Sequence, residues 1–201
     1  MKSLPASAPL SMSARKQESV RQAICEQAGR LFLERGYQET TIDDIARASG
    51  IGRRTFFRYF KTKEDVVLWR FDQFARRTLD LLAQRPVREP ALQALQSALA
   101  EASEFYNRQP AQTLAILKLT DDTPALHAQQ LLQQQHWKGW FASALRSRTR
   151  AGPRSLLPEL AAAMAIDAMA IAVRRWLVNP RADLGTQISA AFSALRRVAE
   201  G

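Results

Sequence analysis

The chain has 201 residues, 46% of them hydrophobic and 24% charged, with a formal net charge of +10. That length and apolar content suffice for one domain or two small ones and exclude a chain disordered throughout. No apolar run approaches the roughly 18–20 residues of a membrane span, and a single cysteine, Cys25, excludes an internal disulfide and a cysteine-rich zinc site.

The charge is unevenly placed. Residues 1–63 hold 12 Lys/Arg against 6 Asp/Glu, so more than half of the excess sits in the first third. A basic excess gathered in one region favours a polyanionic partner. The opening stretch MKSLPASAPLSMSARKQ is rich in Ser, Ala and Pro and lacks a sustained apolar segment like that of a secretory leader. Residues 1–15 are therefore expected to be a flexible arm, and the protein cytoplasmic.

Helix formers dominate the remainder, and period-two runs of β-branched residues are absent. The expected fold is all-α. A first helix is predicted from about Gln17 to Arg35, with Val20, Ile24, Ala28, Leu31 and Phe32 on one stripe. Gly36 ends it in the manner of a left-handed cap. Thr41-Ile42-Asp43-Asp44 reads as a capping box opening a short helix to about Ala48. Ser49-Gly50-Ile51-Gly52 is the turn, and a third helix follows from Arg53 to about Phe60. Thr62-Lys63-Glu64-Asp65 starts a long fourth helix that ends before Pro86 and joins the two parts of the chain. Breaks near Pro86–Pro90, Pro110, Asp121–Pro124, Gly152–Pro158 and Asn179–Gly185 divide the rest into further helices.

Two short helices joined by a tight glycine turn can present the second to the major groove of double-stranded DNA. Ile42, Ile45, Ala46, Ile51 and Phe56 supply the apolar face that locks the pair. The third helix then exposes Arg53, Arg54, Phe57 and Arg58. Arginine at the start of such a helix can bond a guanine edge with two N–H donors. Tyr59, Lys61 and Lys63 are placed for phosphates, and Thr41 stands at a helix N-terminus that can add N–H groups to another.

The stretch TTIDDIARASGIGRRTFFRYFKTKEDVV resembles the DNA-binding domain of TetR-type regulators, and AICEQAGRLFLERGYQE resembles that family's first helix. The resemblance spans about fifty residues with several fixed spacings. It implies a helix-turn-helix domain over residues 16–62 and a helical ligand-binding and dimerisation domain over 63–201. Thr41, Arg53, Thr55, Phe57, Tyr59 and Lys63 would then face DNA, beside Arg54 and Arg58. Two positions depart from the family pattern. Gly52 stands where Ser or Thr usually caps the recognition helix, and Phe57 where Tyr is common.

The resemblance also implies a homodimer and a small-molecule effector. Leu156–Val178 is rich in alanine, and the last helix carries Ile188, Ala191, Phe192, Leu195 and Val198 on one stripe. Ile188, Phe192 and Leu195 are the candidate dimer contacts in a four-helix interface. Trp69, Phe105, Trp137, Trp140, Phe141, Met169 and Trp176 are candidate pocket residues, since such pockets are mostly apolar. The segments TLAILKLTDDTPALHAQQLLQQQHWKGWFASALRSR and AIAVRRWLV resemble a TetR subgroup typified by the mycofactocin-associated regulator. That subgroup is associated with acyl-CoA-type ligands. A fatty tail would use the apolar core, and Arg108, Lys118, Arg146, Arg174 or Arg175 would meet phosphates.

No phosphate-binding glycine loop, dinucleotide fingerprint, G-x-S-x-G or H-E-x-x-H motif occurs. No enzyme activity, cofactor or metal is therefore expected; His127 and His136, nine apart, match no ligand pair on one helix face. The expected role is a repressor released from a palindromic operator by a hydrophobic or acyl-type effector. A ligand-blind architectural DNA-binding protein and an activator remain open.

Overall fold

A computed structural model describes residues 11–108, 110–152 and 154–200, with Ala199 and Glu200 as backbone only. Among the described residues the regular elements are nine helices: α1 (Met12–Arg35), α2 (Ile42–Ala48), α3 (Arg53–Tyr59), α4 (Lys63–Gln84), α5 (Ala91–Asn107), α6 (Pro110–Asp122), α7 (Pro124–Thr149), α8 (Leu157–Val178) and α9 (Leu184–Glu200). The all-α expectation holds, and the breaks fall where proline and glycine interrupt the helical pattern.

The N-terminus differs from expectation. Helix α1 begins at Met12, not near Gln17, because the Ser11 hydroxyl accepts the Ala14 N–H at 3.2 Å. The following Ser-Ala-Arg-Lys-Gln run holds no helix breaker. Residues 12–15 are thus helix rather than arm, and residues 1–10 lie outside the described part. Asp121 and Asp122 are the last two residues of α6.

The chain folds into two compact units, and the expected cut between residues 62 and 63 does not separate them. Among the described residues, the first unit takes those up to Asp72 together with Ala111–His127; the second takes those between Gln73 and Pro110 and those from Ala128 onward. The first half of α4 stays with the first unit because Val66, Val67 and Phe71 are buried. The Val66 carbonyl, moreover, accepts from the Cys25 thiol of α1 at 3.5 Å. Helix α6 joins the same unit through its own buried face. Gln112 Nε2 donates to the Glu26 carbonyl at 3.3 Å, and Arg70 donates to the Thr113 hydroxyl at 3.4 Å.

The core of the first unit is Ile24, Ala28, Leu31 and Phe32 of α1, Ile45 and Ala46 of α2, Phe56 of α3, and Ile116 and Leu117 of α6. In the second unit α5, α8 and α9 pack on one another around Leu95, Leu99, Ala165, Trp176, Ile188 and Phe192. Phe74 of α4 stacks on Tyr106 of α5, with centroids 4.9 Å apart and planes 7° from parallel. The Arg148 guanidinium donates to the carbonyls of Leu82, Arg85 and Pro86. It thereby ties the end of α7 to the end of α4 and the two residues that follow it.

Candidate nucleic-acid interface

The helix-turn-helix is built from local hydrogen bonds. Thr41 caps α2 reciprocally: its hydroxyl accepts the Asp44 N–H, and the Asp44 carboxylate accepts the Thr41 N–H, both at 3.1 Å. The Thr41 hydroxyl and N–H hold the Asp44 carboxyl below its ordinary value, with Arg35 and Arg47 adding to the effect. At the other end, Ile51 N–H bonds the Ala46 carbonyl at 3.0 Å and Gly50 N–H bonds Arg47 at 3.1 Å. That pair of bonds is a Schellman motif, and it requires Gly50 at φ +67°. Thr62 repeats the reciprocal cap for α4, exchanging hydrogen bonds with Asp65 at 3.1 Å each way.

This turn sets α3 with one side inward and the other outward. Phe56 is fully buried, whereas Arg53, Arg54, Phe57 and Arg58 are exposed and Thr55 and Tyr59 half-buried. Gly52 provides no side-chain cap, but its carbonyl accepts the Thr55 and Phe56 N–H groups at 2.9 and 3.0 Å. The cations of α3 are not equivalent. Arg53 donates Nη1 to Asp43 Oδ2 at 2.7 Å and lies 5.5 Å from the Phe57 ring centroid. Arg58 lies 5.1 Å from the Tyr59 ring centroid. Arg54 forms no ion pair among the described residues.

Lys63, expected as a phosphate contact, is engaged within the chain. Its ammonium donates to the carbonyls of Tyr37 at 2.8 Å, Thr40 at 3.3 Å and Gln38 at 3.5 Å, and it lies 4.2 Å from the Tyr37 ring centroid. It ties the start of α4 to the α1–α2 loop. The neighbouring Glu64 accepts from the Tyr37 hydroxyl at 2.5 Å. Burial, that hydrogen bond and the Glu64 charge together push the Tyr37 hydroxyl far above its usual value. Thr41 likewise has its hydroxyl engaged in the cap.

Two family profiles match the chain. Residues 24–68 match bacterial regulatory proteins of the tetR family, and residues 89–200 match the MftR C-terminal domain. The chain belongs to the TetR family. It is similar to the HTH-type transcriptional regulator TcmR of Streptomyces glaucescens, at 32% identity over 140 residues, covering 67% of this chain and 62% of TcmR's length. It is 25% identical to the mycofactocin biosynthesis transcriptional regulator MftR of Mycobacterium tuberculosis, over 90% of this chain and 91% of that one. Among solved structures, a TetR-family regulator from Syntrophomonas wolfei superposes with a TM-score of 0.67 at 20% identity, covering 92% of this chain and 96% of that one. FadR of Thermus thermophilus, a TetR family repressor solved with lauroyl-CoA, superposes with a TM-score of 0.56 at 24% identity, over 87% and 92% of the two chains. These two likenesses concern the fold.

As a TetR family transcription regulator, the protein has a helix-turn-helix DNA-binding domain and a C-terminal ligand-binding domain. No helix among the described residues is long and apolar enough to cross a membrane. The candidate ligand residues are divided between the two units. Trp69 belongs to the first unit and meets Phe60 edge-on at 6.2 Å. The other six lie in the second unit. Trp137, Phe141, Met169 and Trp176 are buried there, while Phe105 and Trp140 are half-buried, Trp140 with Arg76 at 5.3 Å from its ring centroid. A groove of about 520 Å³ between α5 and α9 is lined instead by polar residues, among them Glu101, Ser103, Asn107, Asp183 and Thr186. Of the candidate phosphate cations, Arg146 is engaged by Glu159 and by the Gly152 and Ser155 carbonyls.

Two dimer candidates are corrected. Ile188 and Phe192 are fully buried within the chain's own core, so their side chains offer no surface to a partner. Leu195 keeps part of its surface exposed. Sequence reasoning found an apolar stripe on α9, but a stripe does not say what covers it. The Asp43–Arg53 pair was missed because its members are ten residues apart and meet only where α2 and α3 cross.

Proposed function

We propose that the protein is a homodimeric repressor that reads a palindromic operator through α3 and leaves it when a hydrophobic or acyl-type ligand binds the second unit. The observation that carries the operator reading is α3 itself, with Phe56 buried beneath it and Arg53, Arg54, Phe57 and Arg58 exposed. Dimerisation is supported by exposed apolar residues that recur at helical spacing on α8, Leu160, Ile171 and Val178, and by Val198 on α9. Exposed apolar residues repeated along one side of a helix fit an interaction face, and a two-fold dimer would set two recognition helices about 34 Å apart. The acyl-type ligand is supported by the MftR-type C-terminal domain and by the lauroyl-CoA complex of the Thermus FadR.

The ligand must bind the DNA-free and DNA-bound forms unequally, or nothing shifts. The test is selection of a binding sequence from a random duplex library, followed by fluorescence anisotropy on that sequence with and without lauroyl-CoA. Enrichment of an inverted repeat and loss of affinity at saturating lauroyl-CoA are expected. Unchanged affinity overturns the acyl part of the reading, and an asymmetric single site overturns the dimeric part.

A further inference from the structure

We propose that Asp43 is a specificity-positioning residue for DNA reading: its carboxylate holds Arg53 so that the guanidinium presents its remaining donors in one orientation. This rests on the reading of α3 as the helix that enters the groove.

Arg53 is the first residue of α3, and its long side chain is 62% exposed. A free arginine there would sample many rotamers, and binding a base would have to order them. Here one nitrogen, Nη1, is fixed on Asp43 Oδ2 at 2.7 Å, and the guanidinium lies 5.5 Å from the Phe57 ring centroid. A carboxylate and a ring thus constrain the guanidinium from two sides. The group has five N–H donors, and a guanine edge takes only two, at O6 and N7. Engaging one donor on Asp43 therefore leaves enough for bidentate reading.

The carboxylate has a second consequence. Asp43 is itself 49% exposed beside the base-reading side chains, so its charge opposes phosphates that approach out of register. Held orientation strengthens the correct complex, and the negative charge weakens random ones; both raise the specificity ratio. An exposed ion pair of this kind adds little to folding stability. Asp43 also lies outside the Thr41–Asp44 cap that starts α2. Its replacement is therefore expected to leave the fold in place.

The experiment uses the full chain and a random-sequence duplex library, with wild type, Asp43→Asn, Arg53→Ala and the double variant. Sequence preferences are then quantified position by position on the selected duplex. Asp43→Asn is expected to relax discrimination about 5–10-fold at the same base pair that Arg53→Ala relaxes. It should also raise affinity for unselected duplex about 2–3-fold. On the Arg53→Ala background Asp43→Asn should relax discrimination no further, and Asp43→Glu should keep most of the wild-type preference. Circular-dichroism melting within a degree or two of wild type separates this from a folding defect. If Asp43→Asn leaves every position unchanged, or relaxes positions that Arg53→Ala does not, the proposal is overturned. If wild type itself enriches no sequence, the operator reading fails and this inference with it.

Discussion

Lys63→Met separates two roles that its position allows. The substitution keeps most of the apolar stem and removes the ammonium, which donates to Tyr37 O at 2.8 Å, Thr40 O at 3.3 Å and Gln38 O at 3.5 Å. One well-formed hydrogen bond from a charged donor contributes about 1.5–3 kcal/mol when shielded. The side chain is only half-buried, so the lower end applies. The ring contact at 4.2 Å adds about 0.5 kcal/mol at this exposure. Together these give a loss of about 2 kcal/mol, or about 4–8 °C in thermal midpoint for a chain of this size. The DNA measurement runs the other way. Removing a cation that neutralises a phosphate flattens the salt dependence of binding by about one unit of slope, and Lys63→Met is expected to leave that slope unchanged. Differential scanning fluorimetry and anisotropy titrations at several salt concentrations measure both quantities. An unchanged midpoint together with a flatter salt slope would refute the assignment, because the ammonium would then be serving a phosphate and not its three carbonyls.

Four further outcomes follow from the packing. Gly29→Ala should destabilise by about 1–3 kcal/mol in urea titrations, since a Cβ there would come within 2.8 Å of Gln112 Cδ; Gln112→Ala in the same chain should recover much of the loss. Phe192→Ala should remove about 3–5 kcal/mol without changing the association constant in sedimentation, because the side chain is fully buried within one chain. Burial pushes the Cys25 thiol far above its ordinary value, so a disulfide-exchange reagent should label it only as fast as the first unit opens; labelling at the rate of a free thiol contradicts that placement. Burial opposes the charge of Glu64, but hydrogen bonds from Tyr37, its own backbone and Thr62, with Lys63 nearby, leave its carboxyl below the usual range. A depressed folded value stabilises above the unfolded pKa and is lost as pH falls through the folded one, so Glu64→Gln should flatten the fall in stability below about pH 4.

Much of the first unit was legible because its signals are short-range. The reciprocal caps at Thr41 and Thr62, the Ser49–Gly50 turn and the end of α1 at Gly36 each depend on residues within about five positions. Hydrogen bonds of that span form wherever the local backbone allows them, so the residue types alone announce them. The alternation of buried Phe56 with exposed Arg53, Arg54, Phe57 and Arg58 on α3 follows from the same local geometry. Only the tertiary structure decided where long side chains and apolar stripes end up. Lys63 turned to carbonyls more than twenty residues away, Arg53 found Asp43 across the α2–α3 crossing, and α6 closed on α1 at Gly29. On α9 the pattern marked Ile188, Phe192 and Leu195 alike, yet α5 and α8 cover only one side of that helix, and Ile188 and Phe192 lie on it. A period of 3.6 residues tells which side of a helix is apolar; what packs against that side is set by the path of the whole chain.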